Sequence, residues 1–155
     1  MITKIKPLER IVELVKAHRA EGKTIITTNG CFDILHPGHV RELQESKRQA
    51  RDSNGSVLIV GIDSDDAIGR RNKGPGRPLN TQNDRAEVIA AFGCVDYVII
   101  YDFDDCRPFI EAIKPDVHTN GPEYGSPKEW IEYETLEKCG AKPYTYKRHK
   151  DKEGR

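Results

Sequence analysis

The chain lacks any apolar run of membrane-spanning length. Its strongest, residues 57–62 and Tyr97–Tyr101, are the size of strands, against the roughly 20 residues that a bilayer helix needs. Met1-Ile2-Thr3-Lys4-Ile5-Lys6-Pro7 holds no apolar leader core either, so the expectation is a cytoplasmic protein with no membrane partner. Net charge is absent as well: 25 Lys and Arg stand against 25 Asp and Glu, which argues against bulk nucleic-acid binding. Cysteine is scarce. Cys31, Cys94, Cys106 and Cys139 form no Cys-x-x-Cys pair and have no histidines at zinc-finger spacing. Neither a disulfide framework nor a structural metal is expected from them; they read as small buried apolar residues in a reducing compartment. Internal repeats and low-complexity linkers are also missing. With 155 residues there is room for a single core, so residues 1–155 are expected to form one domain.

What is present alternates between two periodicities. Leu8, Ile11, Val12 and Val15 fall at helical spacing behind Pro7 and predict a helix ending near Gly22. Residues 24–28 are a β-branched run entering the Asn29-Gly30 turn. Val40, Leu43 and Ala50 mark a second helix, residues 57–62 a second strand, and Ser64 the N-cap of a short helix through Ile68. Thr81 with Asp84 opens a helix through Val88, Ile89 and Phe92, and Tyr97–Tyr101 is the third strand. Asp104 or Asp105 would cap a helix carrying Phe109, Ile110 and Ile113, followed by a weaker strand over 116–119. Ser126-Pro127-Lys128-Glu129 is a capping box with proline at the first helical position. It predicts one helix through Trp130, Tyr133 and Leu136 to Gly140, before a fifth strand over 142–146. Strands separated by such helices imply an α/β fold, a Rossmann-like doubly wound parallel five-stranded sheet whose ligands bind beyond the carboxyl ends of the strands. The chemistry is therefore expected just after the first and second strands.

The unusual residues lie there. The segment from Thr27 to His39 leaves the first strand and places His36 and His39 across a Pro37-Gly38 turn at the mouth of a helix. Unpaired backbone N–H groups and the helix dipole make such a mouth an anion site, and Gly30 and Gly38 offer no Cβ to keep a phosphate away. Residues 67–83 hold Arg70, Arg71, Lys73 and Arg77 with no acidic residue, and Gly74-Pro75-Gly76 reads as a flap. Such a local positive patch suits a polyphosphate, although a solvated basic loop accounts equally well for Arg70 and Arg71. Arg85, one turn into the following helix, is close enough to join them. Gly-x-Gly-x-x-Gly is not matched, which argues against a dinucleotide-binding redox domain. The acidic clusters Asp63, Asp65, Asp66 and Asp102, Asp104, Asp105 read mainly as helix caps, with no dedicated metal site expected; Asp65 is the exception, placed to accept from ribose hydroxyls.

Asn29-Gly30-Cys31-Phe32-Asp33 leading to His36-Pro37-Gly38-His39 resembles the cytidylyltransferase-like nucleotidyltransferases, with their His-x-Gly-His signature. Lys73-Gly74-Pro75-Gly76-Arg77-Pro78 and Asp84-Arg85 make the chain most similar to the heptose 1-phosphate adenylyltransferases of ADP-heptose synthesis, over nearly its whole length. Glycerol-3-phosphate cytidylyltransferases share the histidine motif and are the alternative, as is a nucleotide-binding module without turnover. The resemblance implies that His36, His39 and Lys73 are catalytic, and that Asn29, Gly30, Cys31, Phe32, Gly38, Asp65 and Arg85 bind nucleotide. Asp33 and Arg77 would serve the acceptor, with Asp33 alternatively supporting the loop. It implies ATP or CTP and a phosphorylated small molecule as partners, Mg²⁺ carried by the nucleotide, and often a homodimer. Two departures stand out. Thr119-Asn120-Gly121-Pro122-Glu123-Tyr124 replaces the family's Lys-Gly-Gly-Asp-Tyr, and Glu153-Gly154-Arg155 falls where the family continues into a Ser-Thr-Thr helix start.

Overall fold

The structure is a computed structural model that describes residues 2–71 and 74–147. Helix α1 (Leu8–Ala20) starts directly behind an extended Pro7 and buries Ile11 and Val15. Strand β1 (Thr24–Gly30) follows, then α2 (Pro37–Lys47), β2 (Ser56–Asp63), α3 (Asp65–Arg70), α4 (Gln82–Ala90), β3 (Tyr97–Tyr101), α5 (Arg107–Ile113), β4 (Val117–Asn120), α6 (Tyr133–Cys139) and β5 (Lys142–Thr145). The strands form one parallel sheet in the order β3-β2-β1-β4-β5. Parallel strands joined by helices need both faces covered. Here α1, α5 and α6 pack Ile11, Phe109, Ile110 and Leu136 on one face, while α2 and α4 pack Leu43, Ala86 and Ile89 on the other. Gly61 in β2 marks a close approach, since a Cβ there would stand 2.7 Å from the Tyr101 ring and 3.1 Å from that of Phe109.

The caps follow the sequence in two places. Ser64 Oγ accepts from the Ala67 N–H, and the Thr81 side chain accepts from the Asp84 N–H. Elsewhere the helices are shorter than predicted: α2 ends at Lys47, before Ala50, and α4 at Ala90, before Phe92. At α5 the N-cap is Cys106 and not an aspartate; Asp105 instead accepts from the Arg107 N–H one residue into the helix. The predicted helix from Ser126 to Gly140 is broken in two. Its capping box forms, but on a single 3₁₀ turn (Pro127–Glu129), after which Trp130 turns extended at φ −71°, ψ 138°. That turn drives the indole into the core at 5% exposure, and α6 starts only three residues later. Burying so large a side chain is worth more than continuing a short helix.

Sheet order decides where a ligand goes. The chain winds from β1 outward to β3, then returns to add β4 on the other side of β1, so the loops after β1 and β4 part and open a crevice at their carboxyl ends. Behind it the two strands are stitched by hydroxyls: Tyr146 Oη lies 2.6 Å from Thr28 Oγ1 and 2.9 Å from Thr119 Oγ1, which is 2.9 Å from Ser46 Oγ of α2. Among the described residues no helix is long and apolar enough to cross a membrane.

Candidate active site

The crevice is a cleft of about 530 Å³, with Asn29, Gly30, Cys31 and Phe32 from the end of β1 and its loop on one wall and Asn120, Gly121, Glu123 and Tyr124 from the end of β4 and its loop on the other. Its location corrects the expectation drawn from the sequence, because the second wall comes from β4 and not from the loop after β2 alone.

His39 lines the cleft and His36 packs against it, with ring centroids 4.1 Å apart and planes at 48°. Each ring is fixed by the backbone. His36 Nδ1 accepts from the Gly38 N–H at 3.0 Å, and His39 Nδ1 accepts from the His36 N–H at 3.2 Å, a reciprocal capping box built from imidazoles. A ring that accepts at Nδ1 carries its proton on Nε2 when neutral, so both histidines offer an Nε2–H. Burial, and after it the neighbouring His36, holds His39 below the ordinary imidazole range, which keeps it a neutral donor. Gly38 has a role that the sequence does not suggest. A Cβ at that position would stand 2.6 Å from His36 Cε1, so the missing side chain makes room for the histidine ring. The reading of the helix mouth as a row of open amides also needs correction. Pro37 has no N–H, the Gly38 N–H is used by His36, and the His39 N–H donates to the His36 carbonyl. The imidazole Nε2–H groups are the donors that these backbone bonds leave uncommitted at the helix mouth.

Phe32, in the left-handed region at φ 52°, folds its ring over Gly30 and within 5.9 Å of the His39 ring centroid. The side-chain oxygen of Asn29 is buried without a hydrogen-bond partner among the described residues. Asp33 is nearly buried and committed to the flap: Oδ2 accepts from the Leu79 N–H at 2.8 Å, Oδ1 from the Asn80 N–H at 2.9 Å, and Arg77 Nε lies 3.6 Å away. Of its two expected roles, this geometry is that of a loop support. Arg77 remains on the cleft wall.

Two other residues expected in the nucleotide pocket are not on the wall of the cleft. Arg85 is 1% exposed, and its guanidinium donates to the carbonyls of Asn80, Cys31 and Asp63 and to the Asp65 carboxylate. It locks the β1 loop, the end of β2 and the flap together and has no face toward a substrate. Asp65, its partner at 2.8 Å, does not line the cleft. The basic stretch is likewise paired over long range. Arg71 binds Asp63 through both oxygens at 2.6 and 3.0 Å, and Arg70 binds Asp102 and Asp104. Lys73 and the tail Glu153-Gly154-Arg155 lie outside the described residues.

The far half of the cleft escaped the sequence reading. Glu42, Glu123, Glu129 and Glu132 line it together with Trp130 and Tyr124. Glu42 follows His39 by three positions on α2, a spacing that would have placed it on the same face. The others reach the cleft only because β4 sits beside β1. Burial, then Glu123 and Glu45, push the Glu42 carboxyl up to about 7. A carboxyl raised in the folded state contributes stability that is complete below its unfolded value near 4.5 and lost as pH rises through about 7. Glu42→Gln is therefore expected to leave the melting temperature unchanged near pH 4.5 and to raise stability at pH 8 by about 1 kcal/mol, after discounting for solvent screening. Thermal melts of both proteins across that range check it.

Comparison with known proteins agrees with this architecture. Residues 27–152 match the family described as Cytidylyltransferase-like. Bifunctional protein HldE of Geobacter metallireducens is 42% identical over 139 residues, 90% of this chain and 27% of that protein. The same-named protein of Sulfurimonas denitrificans is 46% identical over 120 residues, covering 77% of this chain and 24% of its own length. The chain thus spans about a quarter of the curated relatives it matches. Among solved structures, the lipopolysaccharide core biosynthesis protein from Thermoplasma volcanium superposes with a TM-score of 0.65 at 27% identity, over 81% of this chain and 98% of that one.

Proposed function

Because the chain belongs to the cytidylyltransferase-like family, we propose that it is a nucleotidyltransferase moving an adenylyl group from ATP to a sugar phosphate, with heptose 1-phosphate as the acceptor. The observation that carries this reading is the imidazole pair, each ring held at Nδ1 by a backbone amide so that its Nε2–H is left to donate to a phosphate. The acidic far wall supports the choice of a sugar, since carboxylates accept hydrogen bonds from the hydroxyls of a polyol. Likeness to the HldE proteins, and the motifs shared with heptose 1-phosphate adenylyltransferases, favour ATP over CTP.

In the proposed reaction an oxygen of the acceptor phosphate attacks the α-phosphorus in line. The new P–O bond forms as the bond from the α-phosphorus to its bridging oxygen breaks, and pyrophosphate leaves. The nucleophile is already an anion, so no general base is needed, and the protein's task is positioning and charge stabilisation. His39 would donate to the phosphoryl oxygens as charge builds, and His36 at the rim would do so beside it. Arg77 adds a cation on the flap side. Mg²⁺ enters with the triphosphate as part of the substrate and screens its charge. Asp33 and Asp63 are committed to flap amides and to Arg71, so in this reading phosphate oxygens and water would supply most of the ion's ligands.

Mixing the protein with ATP or CTP and a panel of sugar 1-phosphates and polyol phosphates tests the proposal. Pyrophosphate release with ATP and heptose 1-phosphate, and an ADP-sugar in the mass spectrum, is the expected result. Turnover only with CTP and glycerol 3-phosphate would move the chain to the alternative acceptor class. Nucleotide binding with silence from every pair would make it a module without turnover.

A further inference from the structure

Behind the acidic wall three side chains of different chemistry converge. Cys106 at the N-cap of α5, His118 in β4 and Glu132 just before α6 are 5%, 0% and 4% exposed, and one donor atom from each lies within 4.8 Å of the other two. His118 Nδ1 is 2.7 Å from Thr27 Oγ1, but its buried Nε2 has no hydrogen-bond partner. Glu132 Oε1, 3.3 Å from that nitrogen, is the atom it faces. A fully buried ring nitrogen whose nearest acceptor stands off at 3.3 Å is poorly satisfied, and the Cys106 thiol beside it adds a third donor atom.

We propose that Cys106, His118 and Glu132 form a binding site for a zinc-class divalent cation at the base of the cleft. Sulfur, imidazole and carboxylate are the donor set of such an ion, and three protein ligands leave a fourth position. Tetrahedral bonds of about 2.0–2.3 Å put donors roughly 3.3–3.7 Å apart, so the present cluster needs only a small contraction. The second sphere is already in place. Thr27 would accept from His118 Nδ1–H and fix the tautomer that presents Nε2, while Asn120 Nδ2 holds Glu132 Oε1 at 2.5 Å. Cys106 and Glu132 line the cleft, so the open position faces it and would take water or an oxygen of a bound small molecule. The site shares the cleft, and Glu132, with the acidic wall offered to the sugar, but its donor set includes neither His36 nor His39.

Tag-free full-length chain, stripped with chelator, is titrated with Zn²⁺ by calorimetry and with Co²⁺ by absorption. One equivalent of Zn²⁺, and a Co²⁺ complex with a thiolate charge-transfer band and the strong visible absorption of tetrahedral geometry, is the expected result. Cys106→Ser should abolish the charge-transfer band and weaken Zn²⁺ binding by more than about 100-fold, since loss of an outer-sphere partner alone costs 10- to 100-fold. His118→Gln is the second variant, and Zn²⁺ should raise the melting temperature of the parent but of neither variant. The weak spectrum of six-coordinate Co²⁺, or Zn²⁺ affinity unchanged in Cys106→Ser, would overturn the assignment. Metal binding and pyrophosphate release are read separately, so failure of one leaves the other standing.

Discussion

Replacing His39 with alanine is expected to lower kcat by about 10²–10³-fold while nucleotide binding changes far less, the pattern for a donor that acts mainly as transition-state charge develops. The alanine variant has a second defect, because His39 Nδ1 also accepts the His36 N–H. Loss of a cap costs about 1 kcal/mol, which would blur the interpretation. Asparagine separates the two effects. Its side-chain oxygen can take the place of Nδ1 and keep the cap, but it offers nothing where Nε2–H stood. His39→Asn should therefore melt close to the parent and turn over as poorly as the alanine variant. Single-turnover kinetics beside thermal melts make the comparison, and near-normal kcat in His39→Asn would remove the residue from the mechanism.

Arg85→Met is expected to be the most destabilising single change in the site region, by roughly 3–5 kcal/mol, or about 10 °C in melting temperature for a domain of this size. Methionine fills much the same volume but strands three carbonyls and the Asp65 carboxylate, all of which now have a guanidinium to accept from. Lysine should not rescue it, because one ammonium cannot reach acceptors that a planar fork satisfies in several directions. If Arg85 were instead a phosphate ligand, the variant would melt normally and lose only nucleotide affinity. Differential scanning calorimetry with nucleotide titration distinguishes the two outcomes.

The contrast between His39 and Arg85 shows what a sequence can convey. Local grammar was readable: β-branched runs gave the strands, Ser64 and Thr81 the caps, and the spacing of His36 and His39 their meeting at one helix mouth. Charge was not, because counting residues 67–83 registers four cations but not Asp63, Asp102 and Asp104, which fold back onto two of them. A capping box at Ser126 promised a helix, and the tertiary pull on Trp130 ended it after one turn. Glu123, Glu129 and Glu132 were invisible for a related reason. They enter the cleft only through the reversal of strand order at β1, and no short window of sequence records that reversal.

The hydroxyl stitch between Thr28, Tyr146, Thr119 and Ser46 has a mechanical consequence. Each oxygen in it already has hydrogen-bond partners, and Thr28, Thr119 and Ser46 are at most 2% exposed, so these hydroxyls are spent on one another and on the backbone. Two strands, a helix and the chain beyond β5 thereby share one knot of hydroxyls, so a change at Tyr146 would be felt on both sides of the seam between β1 and β4.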